Sequence, residues 1–555
     1  MGRELTPSRS AVGMLASIAL AKLALHLILS GRYGYWIDEL YFLACGDHLA
    51  WGYVDMPPFV AAVARASRVL LGDSLPALRL FPAVSGALLI FLAGRIAWEL
   101  GGGRFAQLAA AVAVLVAPVY LALQGVLTMN AFEPLFWMTC TWIAIRTVRR
   151  ENPRYWLPLG LVAGVGFLNK YSIAFLVIAL GVGLLLTVQR RLLFTGWTLA
   201  GALVALLIAF PNLLWQIGHG WPTLELLRNA KLYQHQPVTP LEFVWGQIQI
   251  VHPLTFPLWL AGAVFLLLHG SAQPFRFLGW TFVVLFVWFM ALQAKTYYLA
   301  PIYPLPVAAG SVALERLSAR PRLGWLRPAT LATLLVGGAL LAPYVLPVLP
   351  ISTLPKYLAL LPMKEVRPET RQMGEVPQIF ADELGWEPLV AEVAKVYESL
   401  PPDERARATI WGAGYGEAGA IDFFGRRYRL PAAVSGHQNY HLWGPGDGSG
   451  EVVIAVNIPE AYLKPWFERV VTRATVSCDH CMPDRRRMPI TVCRGLEVPI
   501  REFWPKVKCW TCDRPDFVRA PRVPHAGCAR SRWCRSIPRT ACGRDAAAKR
   551  STSRS

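Results

Sequence analysis

The chain has 555 residues, of which 54% are hydrophobic and 16% charged, with a formal net charge of +20 at pH 7. Its mean hydropathy is +0.38, so it carries far more apolar surface than one soluble core could bury. Composition excludes a soluble globular protein and defines a polytopic membrane protein.

Eleven hydrophobic stretches approach the roughly 20 residues that a spanning helix needs. They fall near 11–30, 79–98, 105–125, 131–147, 156–169, 171–188, 194–213, 253–269, 277–294, 299–315 and 328–348. The first has no small-residue cleavage site and no signal-peptide layout, and reads as a retained anchor that contains Lys22 and His26. The fifth and sixth are short and meet at Asn169-Lys170-Tyr171, which leaves the count open by about one or two spans. Arg3 and Arg9, Arg104, Arg146 to Arg154, Arg190-Arg191, Arg276 and Arg316 to Arg327 occupy every second connection, whereas the short outer turns hold only Lys170 and Lys295. Basic loops stay on the cytoplasmic side. The N-terminus is therefore expected inside, with the Asp38-Glu39 loop, residues 126–130, 214–252, 295–298 and everything after 348 outside.

The first outer loop reads Gly31-Arg32-Tyr33-Gly34-Tyr35-Trp36-Ile37-Asp38-Glu39-Leu40-Tyr41, then Trp51-Gly52-Tyr53-Val54-Asp55-Met56-Pro57-Pro58. Adjacent carboxylates beside an apolar span are costly unless they face a wet, functional cavity. A helix over 38–48 lying in the membrane interface would turn Tyr41 and Phe42 to the headgroups and the acids to such a cavity. Helix capping accounts for Asp38 alone. It leaves Glu39, Asp55 and the later Glu133, all on the outer side, unexplained.

Arg79 opens the second span, where it is a phosphate ligand or a helix-end anchor. The loop Thr128-Met129-Asn130-Ala131-Phe132-Glu133-Pro134 offers an amide and an acid one turn apart. In 214–252, Gly218-His219-Gly220-Trp221-Pro222-Thr223 and Tyr233-Gln234-His235-Gln236-Pro237 suit either a mobile cover over a sugar site or an interfacial aromatic belt. Lys295-Thr296-Tyr297-Tyr298-Leu299-Ala300-Pro301-Ile302-Tyr303-Pro304 follows the ninth span. Lys295 there can hold a phosphate or snorkel to the headgroups.

From about 360 the hydrophobic runs shorten to strand length, as in Ala408-Thr409-Ile410-Trp411 and Val452-Val453-Ile454-Ala455-Val456, alternating with helical stretches such as Pro388 to Leu400. The chain divides into a membrane module at 1–350, a small α/β extracytoplasmic domain at 351–508 and a basic tail at 509–555. Gly412-Ala413-Gly414-Tyr415-Gly416-Glu417-Ala418-Gly419 resembles a phosphate loop only superficially and reads as turn chemistry. Ser435-Gly436-His437-Gln438-Asn439-Tyr440-His441-Leu442-Trp443-Gly444-Pro445 is rich in groups that bind sugars or acceptors.

The tail holds eleven Arg and Lys against three Asp, and five of the ten cysteines. It has too little apolar surface to fold, and its lack of pattern also fits out-of-frame translation. A basic arm can bind nucleic acid, but outside a membrane a solvated tail is the reading, and no nucleic-acid partner is expected. Cys478-x-x-Cys481 and Cys509-x-x-Cys512 have zinc-like spacing. An oxidising compartment favours instead a disulfide of Cys478 or Cys481 with Cys493.

The acidic pair after the first span, Gly52-Tyr53-Val54-Asp55-Met56-Pro57-Pro58 and the Lys295 to Pro304 run together resemble the family 39-type glycosyltransferases, bacterial relatives of protein O-mannosyltransferases and of the lipid A aminoarabinose transferase. The resemblance covers roughly residues 11–348. It implies a GT-C fold, a polyprenyl-phosphate-linked sugar as donor, an acceptor at the outer face, and Asp38 as general base with Glu39 beside it. Asp55 falls where the lipid A enzyme places a metal-contacting acid, but Met56 follows it instead of a basic residue; a divalent metal is left open. Relatives carry a second acid where this chain has Asn130, with Glu133 one turn on.

Chemistry agrees with that resemblance. An acceptor hydroxyl attacks the anomeric carbon only if a carboxylate takes its proton. The leaving lipid phosphate needs cations and hydroxyls to hold its charge, not an acid. One essential carboxylate and a basic, Tyr-rich clamp are expected, with inversion at the sugar carbon, in contrast to the paired carboxylates of hydrolases. Tyr35, Asp55, Arg79, Asn130, Glu133, Lys295, Tyr297 and Tyr298 are the candidate substrate contacts. The alternative is a transporter or flippase of a lipid-linked sugar, which would place its ionisable groups near the bilayer midplane and show repeated halves. Neither sugar nor acceptor is named by the residues, and protein, lipid A and glycan acceptors remain open.

Overall fold

The computed structural model describes residues 8–234, 236–361 and 374–511. Arg3, His235 and the basic tail from 512 onward lie outside the described residues. Each of the eleven hydrophobic stretches is helical. α1 (Arg9–Leu29) is followed by two helices of the first outer loop, α2 (Ile37–Asp47) and α3 (Phe59–Leu71). Next come α4 (Leu75–Glu99), α5 (Arg104–Val116) and α6 (Pro118–Leu123), then α7 (Met129–Arg150), α8 (Trp156–Asn169), α9 (Ile173–Leu185) and α10 (Gly196–Gly218). The membrane part ends with α11 (Pro222–Tyr233), α12 (Pro240–Val251), α13 (Phe256–Leu268), α14 (Arg276–Ala291), α15 (Pro304–Leu317) and α16 (Leu326–Val345). Segment 214–252 is thus largely helical rather than a loop.

By length and composition, five helical stretches among the described residues can cross a bilayer alone, or seven if α12 with α13, and the turn Thr296–Ile302 with α15, each form one bent span. The eleven expected spans exceed even seven because α5, α8 and α9 have only 13 or 14 residues and α7, though 22 residues long, is not apolar enough along its length. The chain is a membrane protein whose short helices pack among longer ones.

Close backbone contact holds those helices together. A Cβ on Gly262 of α13 would lie 1.8 Å from the Pro306 carbonyl oxygen, and one on Gly310 of α15 would lie 1.8 Å from that of Leu258. Lipid tails give no hydrophobic gain for helix pairing, so small residues that admit backbone contact take its place. At the opposite end of the bundle from the site, Glu315 accepts from the N–H groups of Gly103, Phe105 and Ala106 (2.5, 3.0 and 3.2 Å), capping α5 from α15. Glu99 pairs with Arg149 there at 2.6 Å.

The C-terminal region folds around a five-stranded sheet: β1 (Ala408–Gly412), β2 (Ala433–Val434), β3 (Val452–Val456), β4 (Phe467–Ser477) and β5 (Arg487–Leu496), in the order β2-β1-β3-β5-β4. β1 runs parallel to β2 and β3; β5 is antiparallel to β3 and β4. Helices Trp386–Glu398 and Tyr415–Phe424 share a continuous core with the sheet and with α2 and α3, in which Leu40, Tyr41, Phe42 and Val60 meet Leu389, Ile421, Ile454 and Val492.

This shared core changes two expectations. Tyr41 and Phe42 are each 1% exposed, so they face protein and not headgroups. On α3, by contrast, Val69 and Leu70 are 66% and 71% exposed. The disulfide also differs, since Cys478 bonds Cys481 and Cys493 is a free, buried thiol. Cys478 and Cys481 lie in the turn between β4 and β5, whereas Cys493 sits well into β5 opposite Val470, beyond their reach. Cys509 is disulfide-bonded as well.

Candidate functional site

Two neighbouring groups of polar side chains occupy the end of the bundle that meets the C-terminal domain. The first is built on the start of α2. Adjacent helix residues diverge by about a quarter turn, so Glu39 and Asp38 face different partners. Glu39 is 0% exposed. Its Oε2 reaches back to accept from the Trp36 N–H at the start of α2, at 2.9 Å, and its Oε1 accepts from the Leu127 N–H at 2.8 Å. Arg79 of α4 donates to both oxygens, at 2.9 and 2.7 Å. Arg79 also donates to the carbonyls of Ser30 and Gly34 (2.7 and 2.8 Å) and lies 3.5 Å from Glu383. Arg79, expected as a phosphate ligand or a helix-end anchor, is thus held by protein partners at the start of α4. A buried bidentate pair of this kind fixes geometry and would be strongly destabilised by loss of one partner.

Glu383, from the C-terminal region, accepts from the Gly34 N–H at 3.3 Å. One guanidinium cannot neutralise two carboxylates, and burial pushes the Glu383 carboxyl up to about 7. A cavity beside it is lined by His26, Ser30, Arg79, Gly125 and Phe380.

Asp38 turns toward the C-terminal domain, where the Tyr415 hydroxyl donates to its Oδ1 at 2.7 Å. The Tyr415 ring lies between Tyr41, 4.7 Å away centroid to centroid, and His437, at 4.6 Å. Tyr41 in turn donates to Asp55 Oδ1 at 2.9 Å and accepts from Asn439 Nδ2 at 2.6 Å. Asn439 Oδ1 accepts from the Val54 N–H at 3.2 Å, fixing the loop that carries Asp55. Burial pushes Asp55 up to about 6, against the Tyr41 hydrogen bond that lowers it. Among the described residues, no three His, Cys, Asp or Glu side chains converge as cation ligands.

The glycine run at 412–419 explains how these partners meet. Gly414 precedes the helix starting at Tyr415, and Glu417 accepts from its N–H at 3.0 Å. A Cβ on Gly419 would lie 2.9 Å from the Leu40 carbonyl carbon and oxygen. This run is a turn followed by a crossing point for α2.

The second group lies on α7 and the α8–α9 turn. Thr128 caps α7, accepting from the Asn130 N–H at 3.4 Å. Lys170 Nζ donates to Asn130 Oδ1 and to Glu133 Oε2, both at 2.7 Å, and lies 4.7 Å from the Tyr298 ring centroid and 5.8 Å from that of Tyr297. Ser172 donates to the other oxygen of Glu133. Lys295 caps the Thr296–Ile302 turn, and Gln247 of α12 donates to the Thr296 carbonyl at 3.0 Å. Gln216 bridges the two groups, donating to the Tyr53 carbonyl and the Tyr171 hydroxyl, each at 3.2 Å.

The structure thus brings Asp38 close to Asp55, and Asn130 and Glu133 close to Tyr297 and Tyr298. Tyr35 stands apart: its hydroxyl donates to the Asp73 carbonyl and its ring packs 4.7 Å from Phe423. Lys170, Tyr415 and Glu383 were not among the site residues expected from sequence, whereas Asn439 lies in the 435–445 run that was read as rich in binding groups. Lys170 had a visible signal, a lysine in an outer turn where the basic-loop rule places few.

Comparison with known proteins supports this architecture. Residues 55–215 match the family described as Dolichyl-phosphate-mannose-protein mannosyltransferase. ArnT from Cupriavidus metallidurans, bound to undecaprenyl phosphate, superposes with a TM-score of 0.58 at 18% identity, covering 86% of this chain and 98% of that one. Its apo form gives 0.57, covering 87% and 98%. The chain has the GT-C fold of ArnT, as the sequence resemblance implied. Among individual proteins it is similar to the lipid A galacturonosyltransferase RgtD of Rhizobium johnstonii, 27% identical over 278 residues, 47% of this chain and 56% of that protein. The match thus spans little more than half of that relative.

Proposed function

We propose that this protein is a glycosyltransferase of the bacterial cytoplasmic membrane, transferring a sugar from a polyprenyl-phosphate donor to an acceptor hydroxyl at the outer face with inversion. The observation that carries the reading is the pairing of a held carboxylate, Asp38, with a separate cationic and tyrosine-rich group around Lys170. In this reaction Asp38 takes the acceptor proton as the oxygen–carbon bond forms, and the bond from the anomeric carbon to the phosphate oxygen breaks. Lys170, with Lys295, Tyr297 and Tyr298, holds the departing phosphate charge. Asn130 and Glu133 orient Lys170, and the Arg79–Glu39 pair fixes the start of α2. The membrane module, residues 1–350, carries out transfer, and the domain from 351 closes the site. Asp55, with its raised carboxyl, hydrogen-bonds the sugar or acceptor.

Similarity to a lipid A galacturonosyltransferase makes galacturonic acid the first donor sugar to try and lipid A the first acceptor. The test is transfer of radiolabelled sugar from undecaprenyl-phosphate galacturonic acid, aminoarabinose or mannose, comparing wild type with Asp38→Asn at equal expression. Loss of a proton acceptor is expected to lower the rate by about a thousandfold or more. Undiminished transfer by Asp38→Asn would move the base elsewhere. Transport is the weaker reading, because these ionisable groups gather at one end of the bundle and not at its middle.

A further inference from the structure

We propose that Tyr415 is the positioning residue of the acid site: its hydroxyl sets the orientation and basicity of Asp38, so the C-terminal domain completes the site rather than merely covering it. The inference rests on reading Asp38 as the base. Its geometry is independent of that reading.

A carboxylate on the first turn of a helix can rotate about its last side-chain bond, and only one rotation aims a lone pair at an acceptor hydroxyl. The Tyr415 hydroxyl, 2.7 Å from Oδ1, selects a rotation. That hydroxyl is itself held, because its ring is sandwiched between Tyr41 and His437 at centroid distances of 4.7 and 4.6 Å. Gly416 and Gly419 bring its helix against α2, where a Cβ on Gly416 would come within 2.5 Å of Ile37. The acceptor proton passes to the Asp38 carboxylate that Tyr415 orients, the acceptor oxygen bonds the anomeric carbon, and polyprenyl phosphate leaves with the electron pair of the broken bond. A donor to the charged carboxylate also lowers its affinity for a proton. It keeps Asp38 ionised, and hence competent, at lower pH.

A structural tyrosine at this place would only bind the domain to α2, and the two roles separate experimentally. Wild type, Tyr415→Phe and Asp38→Asn are prepared as full chains in lipid nanodiscs. One readout is the pH profile of transfer from undecaprenyl-phosphate galacturonic acid to lipid A. The other needs no turnover: the protonated-carboxyl infrared band that Asp38→Asn removes, followed against pH. Tyr415→Phe is expected to lower kcat by about tenfold with the donor KM within about twofold. The acid limb and the infrared midpoint should both rise by about one pH unit. A lower melting temperature with both midpoints in place overturns the inference. If wild type transfers no sugar, the proposed activity with that donor fails, and the infrared midpoint alone decides the role of Tyr415. If Tyr415→Phe does not fold, Tyr415→3,5-difluorotyrosine, a stronger donor of similar size, should lower the midpoint, and an unmoved midpoint overturns the proposal.

Discussion

Lys170 has two duties that a double substitution can separate. Its side chain is 16% exposed and its partner Glu133 only 4%, so removing the lysine strands a carboxylate in a poorly solvated place. Lys170→Met is expected to destabilise the protein by about 3 kcal/mol and, if Lys170 holds the donor phosphate, to raise the donor KM by about tenfold. Lys170→Met combined with Glu133→Gln should recover the melting temperature and leave the KM high. Recovery of both would make Lys170 purely structural. Sequence showed the charges at 133 and 170 but not their pairing, because nothing in spacing brings α7 to the α8–α9 turn. The same holds for Asp38, whose type and place were legible while its partner Tyr415 lies 377 positions away. The two readings of Arg79 could not be told apart for a related reason: an arginine at a helix start looks the same whether it awaits a phosphate or holds Glu39.

Among the elements, helices were the most legible in position, since long apolar runs mark them, although α5, α8 and α9 are too short to cross a bilayer alone. Strands β1 and β3 coincide with the short runs at 408–411 and 452–456, and a helix occupies Trp386–Glu398 where the pattern placed one at 388–400. The face of α2 was misjudged because its apolar side is covered by a domain encoded far downstream, and amphipathicity cannot tell lipid from protein. The glycines of 412–419 likewise revealed a turn but not the helix they would meet. Gly419→Val should push backbone against backbone, costing about 1–3 kcal/mol and displacing Tyr415 from Asp38. Lower transfer with α2 moved away from the domain, measured by crosslinking between cysteines placed on each, is the expected outcome. Unchanged crosslinking would show that the crossing tolerates a side chain.

For the whole molecule, the link between bundle and domain is pH-sensitive at Glu383. Burial raises its carboxyl from an ordinary 4.5 to about 7, so the folded state binds a proton more tightly than the unfolded chain does. The resulting stabilisation is present in full below about pH 4.5 and is lost as pH rises through about 7, amounting to about 3 kcal/mol. Asp55, raised to about 6 by burial, acts in the same direction. Melting in detergent should therefore occur at a higher temperature at pH 5 than at pH 8. Glu383→Gln, which mimics the protonated acid, should shrink that difference; an equal pH dependence in wild type and variant would assign it to other groups.

The core shared by α2, α3 and the C-terminal sheet has a consequence for biogenesis. Residue 38 emerges from the ribosome long before residue 415, and the intervening helices have to be inserted before the two can meet. Long-range closure of this kind is slow and comes late. A nascent chain, or one truncated after α16, can hold a full set of membrane helices while its principal acid still lacks the tyrosine that orients it. Assembly order then acts as a safeguard: the contact between Asp38 and Tyr415 exists only in a protein synthesised past the helix that begins at Tyr415.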